Sequence, residues 1–278
     1  MKQILLPTDF SDNALHAIRY ATAMYRDEKC TFYLLHVFEV PYYPIILMST
    51  DRLHDPAYEI ALERSRNALQ DIMLRMGPVK NSDHHFKAIS RKDTLLHAIK
   101  LLVKEKNIDM IIMGSKGARN ARGVNYGSNA VTLMEKISSC PVMTIPRKAR
   151  FRGFNEIVFP SSFEIAYEKK EINPLLELAG RFEASIRVIH IGDQEELTEI
   201  QKKNRKLLED HFSGLNCTFH SLSNIPPAAG ISCFAESRDT DLIALVNRKH
   251  SFFYRLMETP VIKGISFYSR LPIMVMHI

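Results

Sequence analysis

Four cysteines, Cys30, Cys140, Cys217 and Cys233, are scattered through this 278-residue chain with no C-x-x-C pair among them. That is poor material for a disulfide framework or a zinc site, and it predicts buried thiols in a reducing compartment. His84 and His85 are adjacent, so on a strand they point to opposite faces and do not share a metal. No apolar run approaches the ~18–20 residues of a membrane span. The stretch Met1–Pro7 enters a strand at once, without a long apolar segment or a small-residue cleavage site, so it does not read as a signal peptide. Both absences point to a cytoplasmic chain with no membrane partner. The phosphate loop G-x-x-x-x-G-K-[ST] and the dinucleotide fingerprint G-x-G-x-x-G are missing too. No Ser/His/Asp arrangement, metal cluster or general base can be placed, so no catalytic residue is assigned. Positive charge lacks concentration: the net +6 comes from scattered residues. The densest stretch, Arg147 to Arg152, reads as a solvated linker. Nucleic acid binding needs a basic face with stacking aromatics or a known module, and neither is visible.

What is there is a glycine-spaced loop. Gly114-Ser-Lys-Gly117 precedes Gly127-Ser128-Asn129, with nine residues between. The apolar run Ile108–Met113 before it reads as a buried parallel strand. The run Ala130–Ile137 after it has helical spacing. Strand, glycine loop and helix N-terminus in that order make an anion site. Glycine lets the backbone turn tightly and approach a ligand. The first N–H groups of a helix have no internal partner and carry partial positive charge. Lys116, Arg119 and Arg122 add formal charge to the loop. The alternative is a glycine-rich βα loop that binds nothing.

The chain also repeats itself. Ile4–Ser11 returns as Ile157–Glu164, and Phe32–Val37 as Ile186–Ile191. Asp109–Met113 returns as Asp241–Leu245, and Pro141–Ile145 as Pro272–Met276. The offsets are 153, 154, 132 and 131 residues, so the second copy is shorter by about twenty residues in its middle. A repeat this long is a duplicated domain rather than a solenoid, whose period is roughly 20–50 residues. Length agrees with two domains.

In the first copy the pattern predicts strands at 3–8, 31–38, 84–90, 108–113 and 141–146. It predicts helices at 12–26, with Ser11 as N-cap, and at 56–76, 93–106 and 128–138. Tyr42 to Asp55 reads as a loop, and the second helix ends near Gly77-Pro78. The second copy predicts strands near 156–160, 185–191, 217–222, 241–246 and 272–276. Alternating strands and helices imply an α/β fold, a parallel sheet covered on both faces.

The spacing of Gly114, Gly117, Gly127 and Ser128 resembles the ATP-binding signature of the universal stress protein family. The whole chain is similar to a tandem member, strongly in its first half and only in layout in its second. The resemblance implies two doubly wound domains, 1–147 and 153–278, each with five strands in the order 3-2-1-4-5. In that order strands one and four diverge, and their carboxyl ends form a ligand crevice. It implies ATP as ligand, with or without Mg2+. By the family's pattern Pro7, Thr8, Asp9 and Val37 would lie at adenosine, with Val37 reading adenine through its backbone. Met113, Gly114, Ser115, Gly117, Gly127, Ser128 and Asn129 would hold ribose and phosphates. Taken singly, Asp9 reads equally as a loop acid or cap, Val37 as core packing and Ser128 as an N-cap. The family also pairs through its last strand. That implies an intramolecular pseudo-dimer through 141–146 and 272–276, or a homodimer.

The second half departs from the pattern. Ser162 stands at the place of Asp9, Val246 and Lys249 at the loop glycines, and Glu258-Thr259 at Gly127-Ser128. Bulkier backbone and an acid remove the phosphate cradle. Thr259 and Pro260 still make an N-cap and N1 pair. Arg248, Lys249 and His250 offer at most a surface anion site. The expected function is ATP binding in the first domain during stress, with a structural or regulatory second domain. Three rivals remain. One is a slow ATPase in which Asp9 holds a magnesium-bound water. Another is a scaffold that binds no nucleotide. The last is a carrier of an apolar ligand near Ile225–Gly230.

Overall fold

Each apolar run becomes a strand and each amphipathic stretch a helix laid over it. The structure is a computed structural model that describes residues 1–40, 56–76, 83–117, 126–192, 196–247 and 270–277. It divides into two compact units, Met1–Lys136 and Ile137–Ile278.

The first unit contains β1 (Lys2–Pro7), α1 (Asp12–Met24), β2 (Cys30–Phe38), α2 (Pro56–Met76), β3 (His84–Lys92), α3 (Leu95–Lys106), β4 (Met110–Gly114) and α4 (Ser128–Lys136). Its strands run β3-β2-β1-β4, with β1 parallel to both β2 and β4. The central strands are buried on both faces, as apolar runs without alternation demand. Strand β3 at the edge alternates in exposure.

The second unit contains β5 (Val142–Ile145), β6 (Glu156–Pro160), α5 (Lys169–Phe182), β7 (Ser185–Ile191), α6 (Glu199–His211), β8 (Cys217–Leu222), α7 (Pro227–Ser237), β9 (Leu242–Asn247) and β10 (Ile273–His277). Strands β8-β7-β6-β9-β10 are parallel and give the order 3-2-1-4-5 in full. Strand β5, the last of the first repeat, pairs antiparallel with β10, with Thr144 opposite Ile273. The chain is thus α/β, two tandem doubly wound repeats.

Local chemistry sets the boundaries. The Ala14 N–H donates to Ser11 Oγ at 3.2 Å, so Ser11 caps α1 as expected. Helix α1 ends at Met24 rather than 26, because Tyr25 leaves helical geometry. Helix α3 starts at Leu95 rather than 93. Asp93 is kept outside it, accepting from Thr94 N at 2.6 Å and bonding His97 Nδ1 at 2.6 Å. Asn107 closes α3 in the left-handed region at φ 50, and Asp239, at the matching place after α7, has φ 50 too.

Asp109 ties strand starts together. Its carboxylate accepts from Gln3 N at 2.7 Å while its own N–H donates to Gln3 O at 2.8 Å. Asp241 repeats this with Asn155 N at 2.7 Å and Glu156 O at 2.9 Å.

The cysteines correct one expectation. Cys30 and Cys140 are buried, but Cys217, first residue of β8, is half-buried and Cys233 on α7 is exposed. Burial still pushes the Cys217 thiol up to about 12. Among the described residues no His/Cys/Asp/Glu group is arranged for a metal, and no helix is long and apolar enough to cross a membrane. The stretch Tyr42–Asp55 and the pair Gly77-Pro78 lie outside the described residues.

Candidate functional site

Strands β2 and β4 flank β1, so the segments leaving their carboxyl ends meet above it. Pro7 ends β1 opposite Leu35. Thr8 is buried: its N–H donates to Leu35 O at 2.8 Å and its Oγ1 accepts from Phe10 N at 3.1 Å. That turn puts Phe10 at φ 64, a costly conformation for a bulky residue. Asp9 is exposed beside it. Its Oδ1 accepts from Ser11 N at 3.2 Å and from Ser11 Oγ at 2.6 Å.

The glycine loop comes to meet this turn. Gly114 ends β4 against Asn13, whose Nδ2 would lie 2.6 Å from a Cβ placed on that glycine. Asn13 Nδ2 donates to Lys116 O at 2.8 Å and holds the loop from the first turn of α1. A Cβ on Gly117 would lie 2.6 Å from Asp9 Oδ2. Gly114 is therefore required by close approach to a buried residue, whereas at Gly117 a side chain would have to displace the exposed Asp9 carboxylate. Met113 and Ser115 are buried, Lys116 half-buried and Gly117 exposed.

The two glycine segments are closed on each other by Gly127 N, which donates to Ser115 O at 2.8 Å. A Cβ on Gly127 would sit 3.5 Å from Gly117 N and 3.6 Å from Lys116 Cα. Gly127 O accepts from Val131 N at 3.1 Å, so Gly127 is the N-cap of α4 and Ser128 its first helical residue. That corrects Ser128 as a cap. Ser128 and Asn129 stand exposed in the first turn, with no acidic residue beside them. Asp9, Gly114, Ser115, Gly117 and Gly127 are thus joined by direct contact through Asn13 and Lys116. Arg119 and Arg122 lie outside the described residues. Val37 stands on the other flank, two residues beyond the level of Pro7, half-buried and opposite Arg91.

Chemically the arrangement offers a helix N-terminus, free first-turn N–H groups and a lysine to an anion. Its glycines let that anion approach the backbone. The buried amide oxygen Asn13 Oδ1 has no hydrogen-bond partner among the described residues.

Two residues at this site went unremarked in the sequence. Phe10 packs against His36 with the rings tilted at 42°, centres 4.3 Å apart, and His36 Nδ1 bonds Ser65 Oγ at 2.8 Å. The second repeat pairs the aligned residues, Phe163 (φ 56) stacking on His190 with centres 5.0 Å apart. Phe163 N also donates to Ser161 Oγ at 3.1 Å. The signal was available: both phenylalanines and both histidines coincide when the repeats are aligned. Burial lowers the His36 imidazole below its ordinary value, and the Asp9 carboxylate raises it part of the way back.

In the second repeat Ser162 Oγ donates to Glu164 Oε2 at 3.1 Å, and Val246 is half-buried on β9. Arg248, Lys249, His250, Glu258, Thr259 and Pro260 lie outside the described residues.

A model of the universal stress protein family matches residues 1–146. A curated universal stress protein of Methanocaldococcus jannaschii is 28% identical over 159 residues, 53% of this chain and 96% of that protein. The crystal structure of a universal stress protein from Archaeoglobus fulgidus has a TM-score of 0.63 at 16% identity, over 98% of this chain and 95% of that one. A functionally unknown protein from Pseudomonas aeruginosa has a TM-score of 0.57 at 13% identity, over 100% and 92%. At those identities the two structures speak to the fold alone.

Proposed function

The chain belongs to the universal stress protein family, and from that premise we propose that its first repeat binds ATP. The observation that carries this reading is the closure of Gly127 N on Ser115 O at 2.8 Å, which brings both glycine segments to the N-terminus of α4. Gly114, Ser115, Gly117, Gly127, Ser128 and Asn129 hold the ribose and phosphates, chiefly through backbone N–H groups. Met113 supports them from β4. Pro7, Thr8, Asp9 and Val37 take the adenosine end. The glycine close approaches and the first turn of α4 suit an anionic chain of phosphates. Bound Mg2+ would neutralise phosphate charge close to the Asp9 carboxylate.

No catalytic residue is assigned, and ligand-dependent signalling under stress is the function. A slow ATPase is the second reading, favoured by one observation: Asp9 Oδ2 faces Gly117 closely enough to clash with a Cβ there. On that reading Asp9→Asn abolishes turnover while binding persists. The functional domains are 1–147 and 153–278, in the cytoplasm, and the second is structural or regulatory. The pairing of β5 with β10 supports an intramolecular pseudo-dimer of the two. A homodimer would extend the family's habit of pairing.

The test is extraction and mass measurement of nucleotide from purified protein, followed by titration with ATP. The reading expects ATP to co-purify or to bind. A nucleotide-free protein that gives no signal with ATP leaves the scaffold in its place.

A further inference from the structure

The second repeat has a cavity of its own at the carboxyl ends of β6 and β7, under the first turns of α6 and α7. Its volume is about 340 Å³, within the range of small-molecule sites, roughly 300–1,000 Å³. It is built of described residues in one unit and stands independently of any reading of the first repeat.

The cavity has an apolar body and a hydrogen-bonding end. Ile189, Leu197, Pro227 and Ile231 supply the apolar wall. The other end is His190, only 6% exposed. Its Nδ1 lies 3.0 Å from Ser161 O, a pure acceptor, so Nδ1 carries a proton, and in the tautomer with that proton alone Nε2 is an acceptor. No partner for Nε2 is found among the described residues. Phe163 fixes the ring from one face.

Space beside Nε2 depends on one residue. A Cβ on Gly192 would lie 2.7 Å from Nε2. The first repeat has Phe38 at the aligned position, buried and stacked near His36 at 6.4 Å. The exchange of phenylalanine for glycine opens the nitrogen.

The polar groups at the rim select the ligand. Gln201 is committed to the fold: its Nε2 donates to Ser162 O at 2.9 Å and its Oε1 accepts from Thr198 N at 3.0 Å. Glu164 and Glu196 remain, both exposed carboxylates, and no basic residue lines the cavity among the described residues. Ser162 Oγ is spent on Glu164 and Ser161 Oγ accepts from Phe163 N, so among the described lining residues the side-chain groups left over accept hydrogen bonds and their formal charge is negative. A phosphate is repelled there; a donor head is attracted.

We propose that the second repeat binds a small organic amine with an apolar body, its N–H groups directed to His190 Nε2 and its positive charge to Glu164 and Glu196.

Three probes of one shape and different charge test this on the full-length chain: tryptamine, tryptophol and indole-3-acetate. Methyl NMR of labelled isoleucine reads Ile189, Ile191 and Ile231. Tryptamine should shift these methyls and bind roughly tenfold or more tightly than indole-3-acetate, with tryptophol between. Neutralising both carboxylates, Glu164→Gln with Glu196→Gln, should bring the three affinities to within roughly threefold of one another. Gly192→Phe should abolish binding. Should that variant fail to fold, the exposed double glutamine variant still decides the charge argument. The proposal falls if none of the probes shifts the methyls at millimolar concentration. It also falls if indole-3-acetate binds best, or if ATP shifts the same methyls at comparable affinity, which would make this a residual nucleotide pocket.

Discussion

Asn13 holds the glycine loop with one half of its amide, and the other half is buried without a partner among the described residues. The bond to Lys116 O contributes about 1 kcal/mol, and the orphaned oxygen costs a comparable amount. Asn13→Ala should therefore change stability by less than about 1 kcal/mol while weakening ATP binding, because the loop loses its tether. Denaturant midpoints and an ATP titration on the same variant check this; equal losses in both would make Asn13 merely structural. His36 gives a second residue-scale prediction. Its folded-state value is depressed by burial, so the unfolded chain takes up a proton first as the pH falls. Its contribution to stability is complete above about pH 6.5 and is lost progressively below it. His220 is depressed as well, by burial and then by Arg238 and Arg187. Replacing His36 with Gln should flatten the fall in urea midpoint between about pH 7 and pH 5. An unchanged slope would show that other groups carry it.

At the scale of elements, strand β10 exposes a hydrogen-bonding edge that β5 covers antiparallel. Ile273, Met274, Val275 and Met276 on that strand are buried. A fragment 153–278 lacks β5, and an uncovered apolar edge invites association. It should be less soluble, and more prone to oligomerise, than a fragment 137–278. Identical sedimentation of the two would contradict this. Strands were the most legible elements, since an unbroken apolar run buried on both faces has few other fates. Those at 156–160, 185–191 and 217–222 fall where the pattern predicts. Helix ends were less legible, because a single side-chain bond moves them. Asp93 turning back on Thr94 delays α3, and Gly127 capping α4 displaces Ser128 from that role. In the site, the glycine loop could be read from spacing, and Asp9 only from the family's pattern. Asn13 could not, because it lies on another helix and its contact with Lys116 spans 103 residues. The open side of His190 was equally hidden, since it depends on a glycine that no motif marks.

Over the whole molecule, one fold occurs twice with different chemistry above its first strand. The first repeat keeps Gly114 and Gly117 in close approach to Asn13 and Asp9. The second has Val246 and Ser162 at the aligned places, and its cavity lies beside His190 and is rimmed by carboxylates. The second copy has the same sheet order, the Asp241 tie and a Phe163–His190 stack. We propose one ATP site per chain, located at the first glycine loop. Calorimetric titration of ATP into the intact chain and into Gly117→Val tests it most directly. A branched side chain there meets the Asp9 carboxylate and blocks the approach of phosphate. The account predicts a stoichiometry of one for the parent chain, and at least a tenfold loss of affinity, about 1.4 kcal/mol, in the variant. A stoichiometry of two, or an undiminished affinity in Gly117→Val, would contradict it.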